Sequence, residues 1–205
     1  MPFLFQVNQP AANNTRRSFL RGTTVAALST GAVLLLAGRG ADAAGSKADV
    51  ASDVGILNVA LGLEHEGINA YTLGAKSGLL QKPVLDIALK FQDDHKAHRD
   101  LLIATIHKLG GQAVEERTLD AYAKALNAYA KALNAGQLKS QEDVLRLALG
   151  LELGATNAYL GVIPAFKDHS FAKVAARLAA DEVAHWAVLN NALGLPLPKA
   201  MTFGA

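Results

Sequence analysis

The chain has 205 residues, 51% of them hydrophobic, and no cysteine. That is enough for one ordinary domain with a real core, and it excludes disulfides and thiolate metal sites, so any metal must be held by His and carboxylate. The formal charge of +2 belongs to the first 43 residues, which hold four arginines (Arg16, Arg17, Arg21, Arg39) and one acid (Asp42); the remainder carries sixteen basic against seventeen acidic residues, and nucleic-acid binding loses its electrostatic footing.

In chain order, residues 15–21 (TRRSFLR) make a charged start, a mostly apolar run covers 25–38, and Ala41-Asp42-Ala43 supplies a small-residue cleavage site. The paired arginines before Phe19-Leu20 resemble a twin-arginine export signal. The run of 14 residues falls short of the roughly 20 that span a bilayer, and Arg39 closes it. The expectation is a precursor handled by the twin-arginine translocation machinery. It would be cleaved after residue 43 and exported to the periplasm or beyond, with no stable membrane anchor.

Residues 44–52 read as a small polar linker. From there Ala and Leu dominate and no stretch alternates as a strand does. The pattern predicts a helix over 53–76, stopped by Ser77-Gly78, and a second from Pro83, a good first-turn residue, to Gly110-Gly111. A third spans 141–162 before Pro164, and a fourth follows Asp168-His169-Ser170 and ends at Gly194. Residues 195–205 form an extended tail. Two connections are short and one, over 110–140, is long. Each short one closes an antiparallel hairpin, and the long one can return the chain along a helix of about 25 residues, roughly 37 Å. The predicted fold is all-α: an antiparallel four-helix bundle over 53–194 with one long crossover. Within the crossover, residues 121–127 and 128–134 are both AYAKALN. With Tyr122, Tyr129, Leu126 and Leu133 seven apart, this tandem heptad predicts a short, mainly solvent-facing amphipathic helix without chemistry.

A larger repeat carries more information. Residues 61–71 (LGLEHEGINAY) align with 149–159 (LGLELGATNAY), identical at seven of eleven positions. Asp94-His95-Lys96-Ala97-His98 likewise lies over Asp181-Glu182-Val183-Ala184-His185. At helical spacing, Glu64 falls among Leu57, Leu61, Ile68 and Tyr71, and Glu152 among Leu145, Leu149 and Tyr159. Glu182 falls among Leu178, His185 and Leu189, and His95 among Phe91, His98 and Leu102. All four helices therefore send ionisable groups inward. Buried carboxylates are expensive unless paired, protonated or bound to a cation. Three carboxylates and three imidazoles at mid-bundle make a poor core and a good metal site, which suits Fe, Mn, Zn or Cu better than Mg or Ca.

Glu from two helices and Glu-x-x-His from the other two resembles the ferritin-like carboxylate proteins, over about residues 50–195. With its export signal, the chain is similar to bacterial secreted ferritin-like domain proteins, a group related to desiccation-related proteins. The resemblance implies Glu64, His98, Glu152, Glu182 and His185 as ligands, with Tyr71, Tyr159, Asn69 and Asn157 as supporting or core residues. Position 95 departs from the family pattern, which has a bridging Glu there. A neutral imidazole offers one lone pair, so His95 leaves open a modified metal pair, a single His-rich ion, or a lost site. Asp94, turned about 100° on the helix, would substitute only if the helix deformed. Export of a folded chain also lets the cytoplasm choose the metal.

The implied function is iron or manganese redox chemistry on oxygen or peroxide, in oxidative stress. A non-enzymatic stress or structural protein with a degenerate site, and metal storage, are the alternatives, and homo-oligomerisation is open. His65 and Glu66 are expected on exposed faces, His107 at a helix end where a cation suits the dipole, and His169 in a cap. Trp186 is expected to pack between helices.

Overall fold

The computed structural model describes residues 46–132 and 138–199. The export-signal reading, Leu133 of the tandem heptad and the last tail residues lie outside them. The described residues form five α-helices and no strand: α1 Lys47–Lys76, α2 Lys82–Lys108, α3 Leu119–Ala132, α4 Gln141–Val162 and α5 His169–Ala192, with a 3-10 turn at Ile163–Ala165. α1 packs along α2 and α4 along α5, and the hairpins meet chiefly along α1 and α4. The expected ferritin-like arrangement is therefore present, with α3 added in the crossover. No described helix is long and apolar enough to cross a membrane.

The supposed linker at 44–52 is wrong from residue 46 on. Ser46 caps α1: its hydroxyl accepts from Asp49 N at 3.3 Å, and Asp49 Oδ2 accepts from Ser46 N at 3.1 Å. This reciprocal pair satisfies two orphan helix-end donors, so a polar stretch without apolar periodicity still starts a helix. Asp53, expected to begin the helix, is buried one turn further in. Its carboxylate accepts from Lys167 N and Asp168 N at 2.8 and 2.9 Å, fixing the turn into α5. Ser140 and Asp143 repeat the capping pair at α4. α2 stops at Gly110, whose φ of +75° suits a residue without Cβ, and Gly111 follows where a Cβ would sit 2.6 Å from Val54.

The crossover runs along the outer face of α1. Asn58 donates to Gln112 O at 2.9 Å and accepts from Val114 N at 2.7 Å. His65 Nε2 donates to Val114 O at 3.3 Å, and Asn69 donates to Glu116. Arg117 pairs with Glu66 at 2.9 Å and covers the Tyr122 ring at 4.8 Å. His65 is consequently buried and Glu66 mostly so, contrary to the exposure expected. α3 is amphipathic, but its inner face is buried: Tyr122, Tyr129 and Ala130 are covered, and Tyr129 and Ala130 pack with Leu147 of α4.

Two apolar clusters fill the bundle. One gathers Leu57, Leu61, Leu102, Ile106, Tyr159 and Leu178; the other gathers Tyr71, Ala88, Phe91, Leu145 and Leu189.

Candidate metal centre

The same helical registers that bury those clusters bury an ionisable layer among them. Glu64, Glu152 and Glu182 are 1%, 2% and 0% exposed, and His95, His98 and His185 are also buried. All six residues expected at the site are together, and their donor atoms form two overlapping groups. Glu64, His95, His98 and Glu182 make one, and His95, Glu152, Glu182 and His185 the other, with the chosen atoms of each within 4.8 Å of one another. Glu182 faces both halves: Oε1 lies 3.3 Å from His98 Nδ1 and Oε2 lies 3.4 Å from His185 Nδ1. His185 Nδ1 is also 3.5 Å from Glu152 Oε2, and His98 Nδ1 3.6 Å from Glu64 Oε1.

Supporting contacts cross between the hairpins reciprocally. His98 Nε2 donates to Asp181 at 3.2 Å, and His185 Nε2 donates to Asp94 at 3.4 Å. Each Asp precedes the inward residue on its helix and reaches the imidazole of the other helix, so Asp94 supports His185 and does not take the place of His95. Tyr71 donates to Glu152 and Tyr159 to Glu64. Asn69 instead holds the crossover, and His107 and His169 are exposed on α2 and at the start of α5. Trp186, half-buried, is not part of the cluster.

His95 is central. Its Nδ1 donates to Glu64 Oε2 at 2.8 Å, and its Nε2 faces Glu152 Oε1 at 3.4 Å. Room for the ring comes from Gly67, where a Cβ would lie 3.1 Å from His95 Cε1 and Nδ1. The other repeat has Ala155 opposite this position and Glu182 opposite His95. The larger ring and the missing methyl thus occur together. Sequence reasoning missed Gly67, Asp181 and Thr156, whose buried hydroxyl lies one turn past Glu152. The repeat alignment contained the first signal, and the acid before each inward residue contained the second.

Burial pushes the Glu64 carboxyl up, but the hydrogen bond from His95 and the nearby His98 imidazole outweigh it and hold the pKa at about 2. Burial likewise opposes ionisation of Glu152, and His185 and His95 bring it well below the usual range. Burial pushes the imidazoles down, yet Glu182 and Glu64 lift His98 to about 10, and Glu152 and Glu182 lift His185 to about 9. Glu152 and Glu64 hold His95 well above its ordinary value. Glu182 is pushed up, mainly by burial. Burial and the Glu152 charge keep Tyr71 protonated, as burial and Glu64 do Tyr159.

The donor set fits a metal. His98 Nδ1, His185 Nδ1, Glu152 Oε2 and both oxygens of Glu182 are buried without a hydrogen-bond partner among the described residues, and all face the common centre. Buried polar atoms are normally satisfied; nitrogen and carboxylate atoms converging this way are satisfied together by a cation.

A four-helix bundle with one crossover and a buried Glu/His layer supplied by all four helices defines a ferritin-like protein. The family model for the ferritin-like domain matches residues 52–195, and the chain belongs to that family. Among solved structures it is similar to a conserved hypothetical protein of Mycobacterium tuberculosis, rv2844. The identity is 22% and the TM-score 0.56, over 75% of this chain and 99% of that one; this likeness bears on the fold alone. No curated protein matches the sequence.

Proposed function

We propose that this chain is an exported ferritin-like metalloprotein that holds iron or manganese, as one ion or two, at Glu64, His95, His98, Glu152, Glu182 and His185. The observation carrying this reading is the set of buried Nδ1 and carboxylate atoms that face one centre without other partners. Bound there, iron or manganese would supply redox chemistry toward oxygen or peroxide, as in an oxidative-stress role; zinc or copper would also suit the donors.

The chain's own residues prepare the site. Asp181 and Asp94 accept from the outer ring nitrogens, which fixes the tautomer of His98 and His185 and aims each Nδ1 lone pair inward. Tyr71 and Tyr159 keep their protons and orient Glu152 and Glu64. The apolar clusters around them exclude water. Export is supported by the Arg16-Arg17 signal pattern and the cleavage site after it.

One observation favours a second reading. His95 already joins Glu64 to Glu152 through both ring nitrogens, so three imidazolium ions could neutralise the carboxylates of a non-enzymatic stress protein whose metal site is degenerate. Metal analysis of protein matured in its own exporting host separates the two. A near-stoichiometric transition metal, lost on replacing Glu182 and His98 together, is the expected result. Only traces of any transition metal would leave the second reading standing.

A further inference from the structure

The two ends of the bundle are packed differently. Around Leu57, Leu102, Tyr159 and Phe166 the residual cavity is about 10 Å³, as expected of a close-packed interior. At the other end, a cavity of about 240 Å³ is lined from all five helices. Its walls are almost wholly apolar, so water would find few partners there. Tyr71, Phe91, Leu145 and Leu189 form its inner wall. Two of these also touch the ionisable layer: Tyr71 through its hydroxyl on Glu152, and Phe91 by stacking on His185 with ring centres 4.1 Å apart. Ala123 and Ala130, equivalent positions of the two AYAKALN heptads, face it from α3, and their small side chains leave the volume open. Ile87 and Val188 line it too and are 41% and 42% exposed, which places apolar side chains at a rim between α2 and α5.

We infer that this end of the bundle is a binding site for a neutral apolar molecule of roughly ten non-hydrogen atoms, such as a medium-length hydrocarbon chain. The size follows from packing: an engineered apolar cavity of about 150 Å³ stays dry and binds benzene. The neutrality follows from the walls: among the described residues the polar side chains are Ser77, Asn127 and Tyr71, whose hydroxyl is already given to Glu152, and no charged residue lines the cavity. The occupant would rest against the Tyr71 and Phe91 rings, one ring away from Glu152 and His185. The site is independent of metal loading and can be tested with or without it.

The probes are xenon and 1-nonanol, applied to the full chain in its metal-free and iron-loaded forms. Xenon-pressurised crystals should show density between Phe91 and Leu145, and calorimetric titration should give saturable one-to-one binding of 1-nonanol. Ala148→Leu on α4 and Ala130→Leu on α3 each fill the cavity without touching the Glu/His layer. Each should weaken 1-nonanol binding at least about tenfold while keeping or raising the Tm. If one variant does not fold, the other decides. Absence of xenon, as when another part of the chain occupies the volume, overturns the inference. So does unchanged 1-nonanol affinity in the filled variants.

Discussion

Replacing Gly67 by Ala asks whether His95 is a fitted part of the site. At an ordinary mid-helix position this change stabilises by about 0.5–1 kcal/mol, because glycine loses more backbone freedom on folding. At residue 67 the new Cβ would lie 3.1 Å from His95 Cε1 and Nδ1. The ring has no easy retreat, since Nδ1 is held by Glu64 at 2.8 Å and Nε2 faces Glu152 at 3.4 Å. Displacing it by a few tenths of an ångström stretches a buried hydrogen bond to a charged group, a contact worth about 1.5–3 kcal/mol. The steric loss outweighs the helical gain, for a net destabilisation of about 1 kcal/mol. For a chain of this size that lowers Tm by about 2–4 °C. In a His95→Ala background the Cβ meets no ring, and the same change should stabilise by about 0.5–1 kcal/mol. The sign reversal, read as a coupling energy of roughly 1.5–2 kcal/mol in a double-mutant cycle, is the measurement. Thermal melts of the four metal-free proteins suffice. A Gly67→Ala protein more stable than wild type, or an equal shift in both backgrounds, refutes the fitted-ring reasoning.

Asp181→Asn and Asp94→Asn should each weaken metal binding by about 10–100-fold with little change in the helical spectrum, because they loosen the orientation of His98 and His185; a metal titration with a competing chelator reads this. The metal-free protein should lose stability toward both pH extremes. His98 and His185 have folded pKa values of about 10 and about 9 against an ordinary 6.5, so their contribution is complete below 6.5 and disappears as pH rises through 9 and 10. Glu64, at about 2 against 4.5, contributes above 4.5 and loses that contribution as pH falls through 2; a Tm profile that stays flat from pH 7 to 10 would contradict the assignment. Metal affinity should rise over the same upward range, as protons cease to compete for the imidazoles. Asn58→Ala removes the side-chain bonds to Gln112 O and Val114 N, each worth about 1 kcal/mol. Limited proteolysis should then cut at 112–118 faster while the bundle core persists.

Most of the bundle was legible because its signals are local and repeated. The apolar stripe around Glu64 recurs around Glu152, and glycine stops the helices where the spacing expects. His65 was not legible: it lies off the apolar stripe, and its burial comes from the crossover, whose path is set by contacts 47 to 56 residues apart in sequence. The start of α1 was missed for the opposite reason. Its signal is one capping pair at Ser46 and Asp49, and a search for apolar periodicity passes over it. Helix rotation keeps Asp94 out of the place of His95, as its spacing expects, but it does not show the contact with the neighbouring helix, which brings His185 to Asp94. The cavity left no sequence signal, since small residues at 123, 130 and 148 are equally compatible with close packing.

The two hairpins share their polar layer but differ at sites that form one structural system. Where α1 has His65-Glu66-Gly67, α4 has Leu153-Gly154-Ala155. His65 and Glu66 hold the crossover on α1, and the matching stretch of α4 has no polar groups to do so. The crossover therefore has a defined side, and from that side α3 is carried over α1 and α4 to face the cavity. Gly67, the next residue on α1, admits the His95 ring, which breaks the symmetry of the Glu/His layer. A duplicated hairpin alone would give two equal halves around a symmetric centre. Three consecutive residues of one helix set the path of the crossover and make room for the ring at the centre of the layer, so substitutions there should alter the Glu/His layer and the apolar cavity together.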